Sequence, residues 1–500
     1  MIAQALMNIL NPTCLLLICL GVCVGIIFGS IPGLSATMAV VLFLPLSFGL
    51  EPANGISLLI GLYMGRISGG LISAILLKIP GTPSSIATVL DGGPMADKGE
   101  AGKALGAGIL YSAIGSLISI VALIYISPYL AALTLKFTPV EYFAIAIFSL
   151  SIIASLSGDS LVKGLLAGLL GIGFSLVGMA PIDAISRFTF GSFELMGGFN
   201  IIVLLVGVFA VTDIIMAGLG RKHLDDAYQK KPYHLKGFGV TLREFKEQFG
   251  NMIRSSLIGI GIGILPGIGG NVAGLLSYTA TKNASKYPEK FGTGIVDGII
   301  ASETSNNAVI GGSLIPLLTM GIPGNTVAAV LLGGLTIHGI NPGPLIFQKS
   351  GVYVYGIFFA LIVATLAMLV FERGALPVFV KLLDVPKHIL LPIVMVCCAV
   401  GAFSSSSRVF DIWCILGFGF LGVVMKYFKI PSTPLIIGFI LGPMTEENLR
   451  RALQASAGKI SVFFTRPISL GFLVAGFLFV AYILYNKYKN NGENTLGEKE

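Results

Sequence analysis

Charge is scarce in this 500-residue chain. Its 32 Lys and Arg and 24 Asp and Glu make up 11% of it, where soluble domains run about 25%. No charged residue precedes Glu51, and none lies between Lys103 and Lys136 or between Arg254 and Lys282. From Glu303 to Lys349 only His338 interrupts the run. A membrane helix needs about 20 mostly apolar residues. Stretches this long exclude a soluble enzyme, a nucleic-acid binder and a disordered chain. They also exclude a membrane β-barrel, whose strands alternate in segments of about 10 residues. Cysteine is rare too. The six (Cys14, Cys19, Cys23, Cys397, Cys398 and Cys414) all sit in apolar segments without zinc-ligand spacing to His, so they read as small buried apolar residues. There is no Walker-type loop, no Gly-x-Ser-x-Gly elbow and no His-Glu-x-x-His, so the chain does not itself hydrolyse ATP.

What is present is an all-α polytopic membrane protein. About 12 transmembrane helices are expected, with spans at Cys14–Ser30, Ile56–Leu77, Ala104–Leu133, Ile253–Tyr278, Asp297–Leu318 and Tyr353–Val370 among them. Pro32–Phe48 reads as re-entrant. The net charge is +8, and the excess sits in short segments between spans. The longest, Arg221 to Gly250, holds seven basic residues against Asp225, Asp226, Glu244 and Glu247. The positive-inside rule places it in the cytoplasm, with anionic lipids as its electrostatic partner. No nucleic-acid partner is expected. From Asn486 the tail is polar and reads as disordered.

Glycine is abundant, at 65 residues. Scattered glycines let membrane helices pack closely. The clustered ones break helices. Gly29-Ser-Ile-Pro-Gly33 and Gly263-Ile-Leu-Pro-Gly-Ile-Gly-Gly270 each interrupt an apolar run. Proline removes a backbone donor and glycine frees the chain to turn. In a bilayer such a break survives only where protein or a watery cavity satisfies the exposed backbone. The breaks recur in order. Pro32-Gly33 matches Pro266-Gly267, Gly55-Ile56 matches Gly298-Ile299, and Ile79-Pro80-Gly81 matches Ile322-Pro323-Gly324. Gly55 to Pro80 and Gly298 to Pro323 both span 25 residues. The chain therefore reads as two repeats, 1–235 and 236–485, followed by the tail 486–500.

Duplicated halves with matched broken helices are the sequence sign of a secondary transporter. One half-helix end offers free N–H groups to an anion such as a carboxylate. The other offers carbonyls to a cation such as Na⁺. Small polar residues gather at the breaks, where hydroxyls and amides orient a polar solute. Candidate substrate ligands are Ser35, Thr37, Thr82, Ser84, Ser85, Asn271, Pro323, Gly324, Asn325 and Thr326. Candidate ion-coupling residues are Ser302, Thr304, Ser305 and Asn306. The structural breaks are Pro32, Gly33, Pro80, Gly81, Pro266, Gly267, Gly269 and Gly270. Taken singly, such Ser and Thr residues also bond back to their own helices.

The run Gly29-Ser-Ile-Pro-Gly-Leu-Ser35, then Lys78-Ile-Pro-Gly-Thr-Pro-Ser-Ser-Ile-Ala-Thr-Val-Leu-Asp-Gly-Gly-Pro-Met-Ala96, then Lys98-Gly-Glu-Ala-Gly-Lys-Ala-Leu-Gly106 resembles the large membrane subunit of tripartite tricarboxylate transporters, TctA-like. Leu265-Pro-Gly-Ile-Gly-Gly270, Ser302-Glu-Thr-Ser-Asn-Asn-Ala308 and Ile322-Pro-Gly-Asn325 resemble it too. The resemblance covers residues 10–470. It implies a multi-pass permease of the bacterial inner membrane, a small four-helix-type membrane subunit and a periplasmic solute-binding protein as partners, and carboxylate uptake by symport with Na⁺ or H⁺. No other cofactor is implied.

Intramembrane charges are rare and usually functional or paired. Arg66 suits a substrate carboxylate through its planar fork; the other reading is an ion pair with Glu303 or another acid. Lys78 snorkels to an interface. Asp91, Asp97, Lys98, Glu100 and Lys103 read as a solvated loop. His338 reads as a hydrogen-bonded structural residue. Two other functions compete with a permease: an ion or solute channel with a static filter, and an intramembrane enzyme, for which the candidate Ser and Thr lack an adjacent base. Two non-identical sets of breaks favour alternating access. The repeats are expected to be inverted, with 80–85 and 323–326 forming two helical hairpin tips that meet at the substrate.

Overall fold

The structure is a computed structural model. It describes residues 1–31, 36–151, 153, 160–219, 239–265, 269–382, 392, 395–396, 398–400, 403 and 408–497. Pro32, Gly33, Ser35, Pro266, Gly267 and most of the basic 221–250 segment lie outside the described residues.

The chain is helical nearly throughout. In order, its helices are α1 (Ile2–Ile9), α2 (Pro12–Ser30), α3 (Ala36–Phe48), α4 (Pro52–Leu76), α5 (Ile86–Asp97), α6 (Ala101–Thr134), α7 (Pro139–Ser151), α8 (Leu161–Ser175), α9 (Ile201–Leu205), α10 (Thr212–Leu219) and α11 (Leu242–Glu247). They continue with α12 (Phe249–Ile264), α13 (Gly269–Ala284), α14 (Val296–Met320), α15 (Thr326–Ile337), α16 (Ile346–Lys349), α17 (Gly351–Gly374), α18 (Leu376–Leu382), α19 (Val409–Tyr427), α20 (Ser432–Ala455), α21 (Val462–Thr465) and α22 (Pro467–Gly497). A two-stranded hairpin pairs Gly178–Met179 with Ser186–Arg187.

Local chemistry sets the ends. Asn11 caps α2 through Thr13 N, with Pro12 in the first turn, where its missing N–H is harmless. Gly321 closes α14 in the left-handed region at φ 72°, which glycine enters without a Cβ clash. Ile253–Tyr278, expected as one span, is two helices, α12 and α13, separated at the Pro/Gly run. The tail expected to be disordered continues α22 to Gly497. Extension of a helix already nucleated fixes one residue at a time.

Six of the described helices are long and apolar enough to cross a membrane: Pro12–Ser30, Pro52–Leu76, Ala101–Thr134, Gly351–Gly374, Val409–Tyr427 and Pro467–Tyr485. Six shorter apolar helices accompany them. Several long helices leave large apolar side chains bare, such as Leu16, Val121, Val370 and Phe420. Lipid is the surrounding that accepts such faces. The protein is therefore a multi-pass membrane protein.

The chain forms two compact units, and each draws on both expected halves. One comprises Met1–Ala132 with Leu205–Val423; the other comprises Leu133–Leu204 with Val424–Glu500. In the smaller unit α8 lies against α20, where Gly438 faces the Gly168 carbonyl so closely that a Cβ would come within 2.1 Å of it. Arg187 grips Glu446 with two hydrogen bonds of 2.6 and 3.1 Å, and Arg466 bonds Thr138 and Glu141.

The larger unit is built on two helix pairs, α2 with α4 and α12 with α14, and their closest approaches correspond. A Cβ on Gly25 would meet the Leu62 carbonyl at 2.6 Å, and one on Gly29 would meet the Arg66 carbonyl at 2.3 Å. A Cβ on Gly259 would meet the Ser305 carbonyl at 2.3 Å, and one on Gly263 would meet the Val309 carbonyl at 2.8 Å. Only glycine admits backbone that near.

Candidate functional site

α4 and α14 are the most deeply enclosed helices of the larger unit, and they carry its polar core. Tyr63, Arg66 and Gly70 share one face of α4, at spacings of three and seven residues. Tyr63 is fully buried, and its hydroxyl lies 2.9 Å from Ser313 Oγ on α14 and takes a hydrogen bond from the Asn325 amide at 2.9 Å. Asn325 caps α15, its Oδ1 accepting from Val327 N and Ala328 N. The second tip is thereby tied to both long helices. Its first N–H groups, expected to be free for a carboxylate, are instead taken by the tip's own side chain. Thr326 is half-buried.

At the first tip, no side chain caps the short turn Pro83–Ser85 or α5 behind it. Thr82 Oγ1 lies 3.0 Å from Ser84 Oγ and 2.8 Å from Ser85 Oγ. These hydroxyls rest on Gly70, where a Cβ would stand 2.4 Å from Ser85 Oγ. Each tip has a glycine jammed against an earlier break. A Cβ on Gly81 would reach the Gly29 carbonyl at 2.3 Å, and one on Gly324 would reach the Gly263 carbonyl at 2.5 Å. Pro80 and Pro323 set the turns before them.

Ser302 to Asn307 is buried throughout. Ser302 and Ser305 donate to backbone carbonyls of Ile299, Ala273 and Ser302, so their hydroxyls are internally satisfied. Thr304 Oγ1 and both amide atoms of Asn306 are buried without a hydrogen-bond partner. Asn306 Oδ1 lies where a Gly270 side chain would be, 2.6 Å from that position, with Ser84 Cβ 3.1 Å from it. Asn306 thus borders the first tip. Thr37 is buried at the start of α3, Gly269 opens α13 at φ 75°, and Asn271 is exposed.

Arg66 makes no ion pair with Glu303 or any other described acid. Its guanidinium carbon stands 5.7 Å from the Tyr63 ring centroid, and its Nε is buried and unpaired. Glu303 is held by hydroxyls and an amide instead: Thr88, Ser112 and Asn307. A second buried acid, Glu372 on α17, accepts from Ser68 on α4 at 2.8 Å. Asp91, expected in a solvated loop, is fully buried. Its Oδ1 accepts from the backbone N–H groups of Gly292, Gly294 and Ile295, and its Oδ2 from Tyr278. Lys78 is exposed and pairs with Asp97 at 2.5 Å. His338 contacts Ser47 Oγ at 3.2 Å, a structural bond.

A family model described as the tripartite tricarboxylate transporter TctA family matches residues 15–437. This chain belongs to that family. TctA is a transporter family, and its name implies a tripartite system with further subunits. An uncharacterized 52.8 kDa protein in the TAR-I ttuC' 3' region of Agrobacterium vitis is 34% identical over 482 residues, 96% of this chain and 95% of its own length. An uncharacterized protein in the TAR-II ttuC' 3' region of the same organism is 34% identical over 239 residues, 48% of this chain and 99% of its own length. No solved structure matches the chain.

Within this TctA chain, Tyr63, Thr88 and Glu372 were missed in the sequence. Tyr63 sits in an apolar run whose repeat counterpart carries the polar cluster. Only its place eight residues after Gly55, matching Asn306 after Gly298, marks it.

Proposed function

We propose that this chain is the permease subunit of a binding-protein-dependent, ion-gradient-driven secondary transporter that takes up carboxylates. Arg66 carries the reading. A guanidinium buried in protein without an anionic partner is expensive, and a carboxylate that arrives and leaves supplies the missing charge. Arg66 lies on α4 between Tyr63, which touches the second tip, and Gly70, which touches the first. On a helix rising about 1.5 Å per residue those two positions are about 10 Å apart. The substrate sits across this gap, with its carboxylate on Arg66 and its other polar groups toward Ser84, Ser85 and Asn306.

The two halves are inverted repeats working by alternating access. The paired glycine contacts at Gly25 and Gly259, Gly29 and Gly263, and Gly81 and Gly324 support this, since they recur at matched positions in the two halves. Tyr63 meets Ser313 near one tip while Gly70 and Asn306 border the other, as antiparallel α4 and α14 would require. The permease works in the bacterial inner membrane with a small four-helix-type membrane subunit and a periplasmic solute-binding protein. The basic 221–250 segment faces anionic lipid in the cytoplasm.

The test is uptake of radiolabelled mono-, di- and tricarboxylates by cells carrying the complete transport system. Arg66→Gln abolishes saturable uptake, and Arg66→Lys keeps a small part of it, because the charge remains without the fork. Uptake by Arg66→Gln at the wild-type level, in protein present at the wild-type amount, removes the assignment.

A further inference from the structure

Glu303 is fully buried in α14, and no Lys, Arg or His among the described residues bonds to it. Its two oxygens differ. Oε2 accepts from Ser112 Oγ at 3.1 Å, with the Asn307 amide nitrogen 3.4 Å away. That nitrogen also donates to the Glu303 backbone carbonyl at 3.0 Å and to Ser112 Oγ at 2.8 Å. A carbonyl only accepts, which fixes the nitrogen as the donor. Oε2 therefore meets donors alone. Oε1 lies 2.5 Å from Thr88 Oγ1, which also lies 3.0 Å from Ser302 Oγ. The Ser302 proton goes to the Ile299 carbonyl at 3.1 Å, so the Ser302 oxygen is free to accept. The Thr88 hydroxyl then has two settings. It donates to an ionised Oε1, or it donates to Ser302 and accepts a proton carried by Oε1. Both settings use every proton in the chain.

We propose that Glu303 is the coupling-proton site of this permease, with the proton carried on Oε1 and accommodated by rotation of the Thr88 hydroxyl. In each cycle one O–H bond forms at Oε1 with a proton from water on one side and breaks to water on the other. Sodium fits less well, because a hard cation needs converging acceptors and the Asn307 NH₂ lies against Oε2. Thr88 belongs to α5, the helix behind the first tip, and Glu303 lies about one turn before Asn306. The protonated acid lets α5 rest on α14 without a buried charge. The ionised acid, lacking any counter-charge, favours the arrangement that admits water.

Of the other titratable groups on the helices packed here, Glu372 is near enough for its charge to repel that of Glu303, and the rest bond to other groups or make no bond to Glu303. Glu372 on α17 is held by Ser68, Asp91 on α5 by the 292–295 turn and by Tyr278 of α13, and Asp297 at the start of α14 by Gln248. Arg254 on α12 bonds Thr281, Tyr63 on α4 bonds Asn325, and Tyr111 on α6 and Arg66 on α4 make no bond to Glu303.

The coupling role rests on the carboxylate-permease reading; the proton site does not, and two measurements separate them. Infrared difference spectra of the full chain in membranes, in H₂O and D₂O across pH, show a buried carboxylic-acid band that Glu303→Gln removes and Thr88→Val shifts. Spectra in which neither substitution alters a titrating carboxyl band overturn the site. In cells with the complete system, wild type accumulates citrate, malate or acetate along an imposed pH gradient. Glu303→Gln loses that accumulation, which for one coupled proton is about tenfold per pH unit of the imposed gradient, but still exchanges labelled for unlabelled carboxylate. Gradient-driven accumulation by Glu303→Gln at the wild-type level overturns the coupling role alone. A wild-type system that exchanges none of the three overturns the carboxylate reading, while the spectra still decide the proton site.

Discussion

The Asn325 amide nitrogen lies 2.9 Å from the Tyr63 hydroxyl, and that hydroxyl lies 2.9 Å from Ser313 Oγ. One phenol thus joins the second tip to α4 and α14. Tyr63→Phe removes it. Ser313 keeps its bond to the Ile310 carbonyl, so the loss falls on Asn325, whose half-buried amide loses its acceptor. A destabilisation of about 1–3 kcal/mol is expected, with α15 intact because its cap uses Oδ1. Thermal unfolding in detergent reads the change. Unaltered stability would mean the tip is held by its glycine packing alone.

Asn306 holds the corresponding place on α14, yet neither of its amide atoms has a partner. A buried unsatisfied amide contributes nothing to the fold and costs about 1–3 kcal/mol. Asn306→Leu should therefore leave stability unchanged or raise it, while uptake of carboxylate disappears. The pair of readouts matters. Loss of stability together with loss of uptake would make Asn306 a structural residue.

Gly259 and Gly261 stand two residues apart on α12 and should respond in opposite directions. A Cβ on Gly259 would meet the Ser305 carbonyl at 2.3 Å and Ala308 Cβ at 2.7 Å, whereas nothing lies within 4 Å of one on Gly261. Gly259→Ala must part α12 from α14 and is expected to cost about 1–3 kcal/mol or more. Gly261→Ala lowers backbone freedom without a clash and gains about 0.5–1 kcal/mol. Melting temperatures of the two single variants check the sign of each.

Breaks were legible because proline and glycine act locally. The ends of α12, the restart of α13 at Gly269 and both tips follow from single residues and their neighbours. Burial of Ser302 to Asn307 was legible from polar density inside an apolar run. Partners were not. Asp91 looked solvated beside Lys98 and Glu100, because the N–H groups that hold it come from Gly292, Gly294 and Ile295, far along the chain. Arg66 and Glu303 looked like a pair because they are opposite charges near matched breaks; the structure gives one an aromatic face and the other a ring of hydroxyls. Asn325 looked like a ligand, and its own helix start consumes its oxygen.

Outside the membrane-spanning helices, Glu244 is a group whose charge bears on stability at acid pH. Lys103 donates to its Oε1 at 2.6 Å, and Thr241 donates to its Oε2 through both backbone N–H and hydroxyl, at 2.9 and 2.8 Å. Lys103 first, then the Thr241 backbone and hydroxyl bonds, hold its carboxyl down to about 2. An ordinary Glu in the unfolded chain titrates near about 4.3. A group whose folded value is depressed binds protons less readily when folded, so its contribution is full above about pH 4.3 and fades as pH falls toward about 2. The Lys103 and Glu244 side chains are 38% and 29% exposed, and solvent screening keeps the ion pair below about 1 kcal/mol. Wild type and Glu244→Gln should therefore differ slightly in unfolding temperature at pH 7, less at high salt, and converge below the ordinary Glu range. A gap that widens on acidification would show that Glu244 is protonated in the folded chain and that the capping box at Thr241 does not depend on its charge.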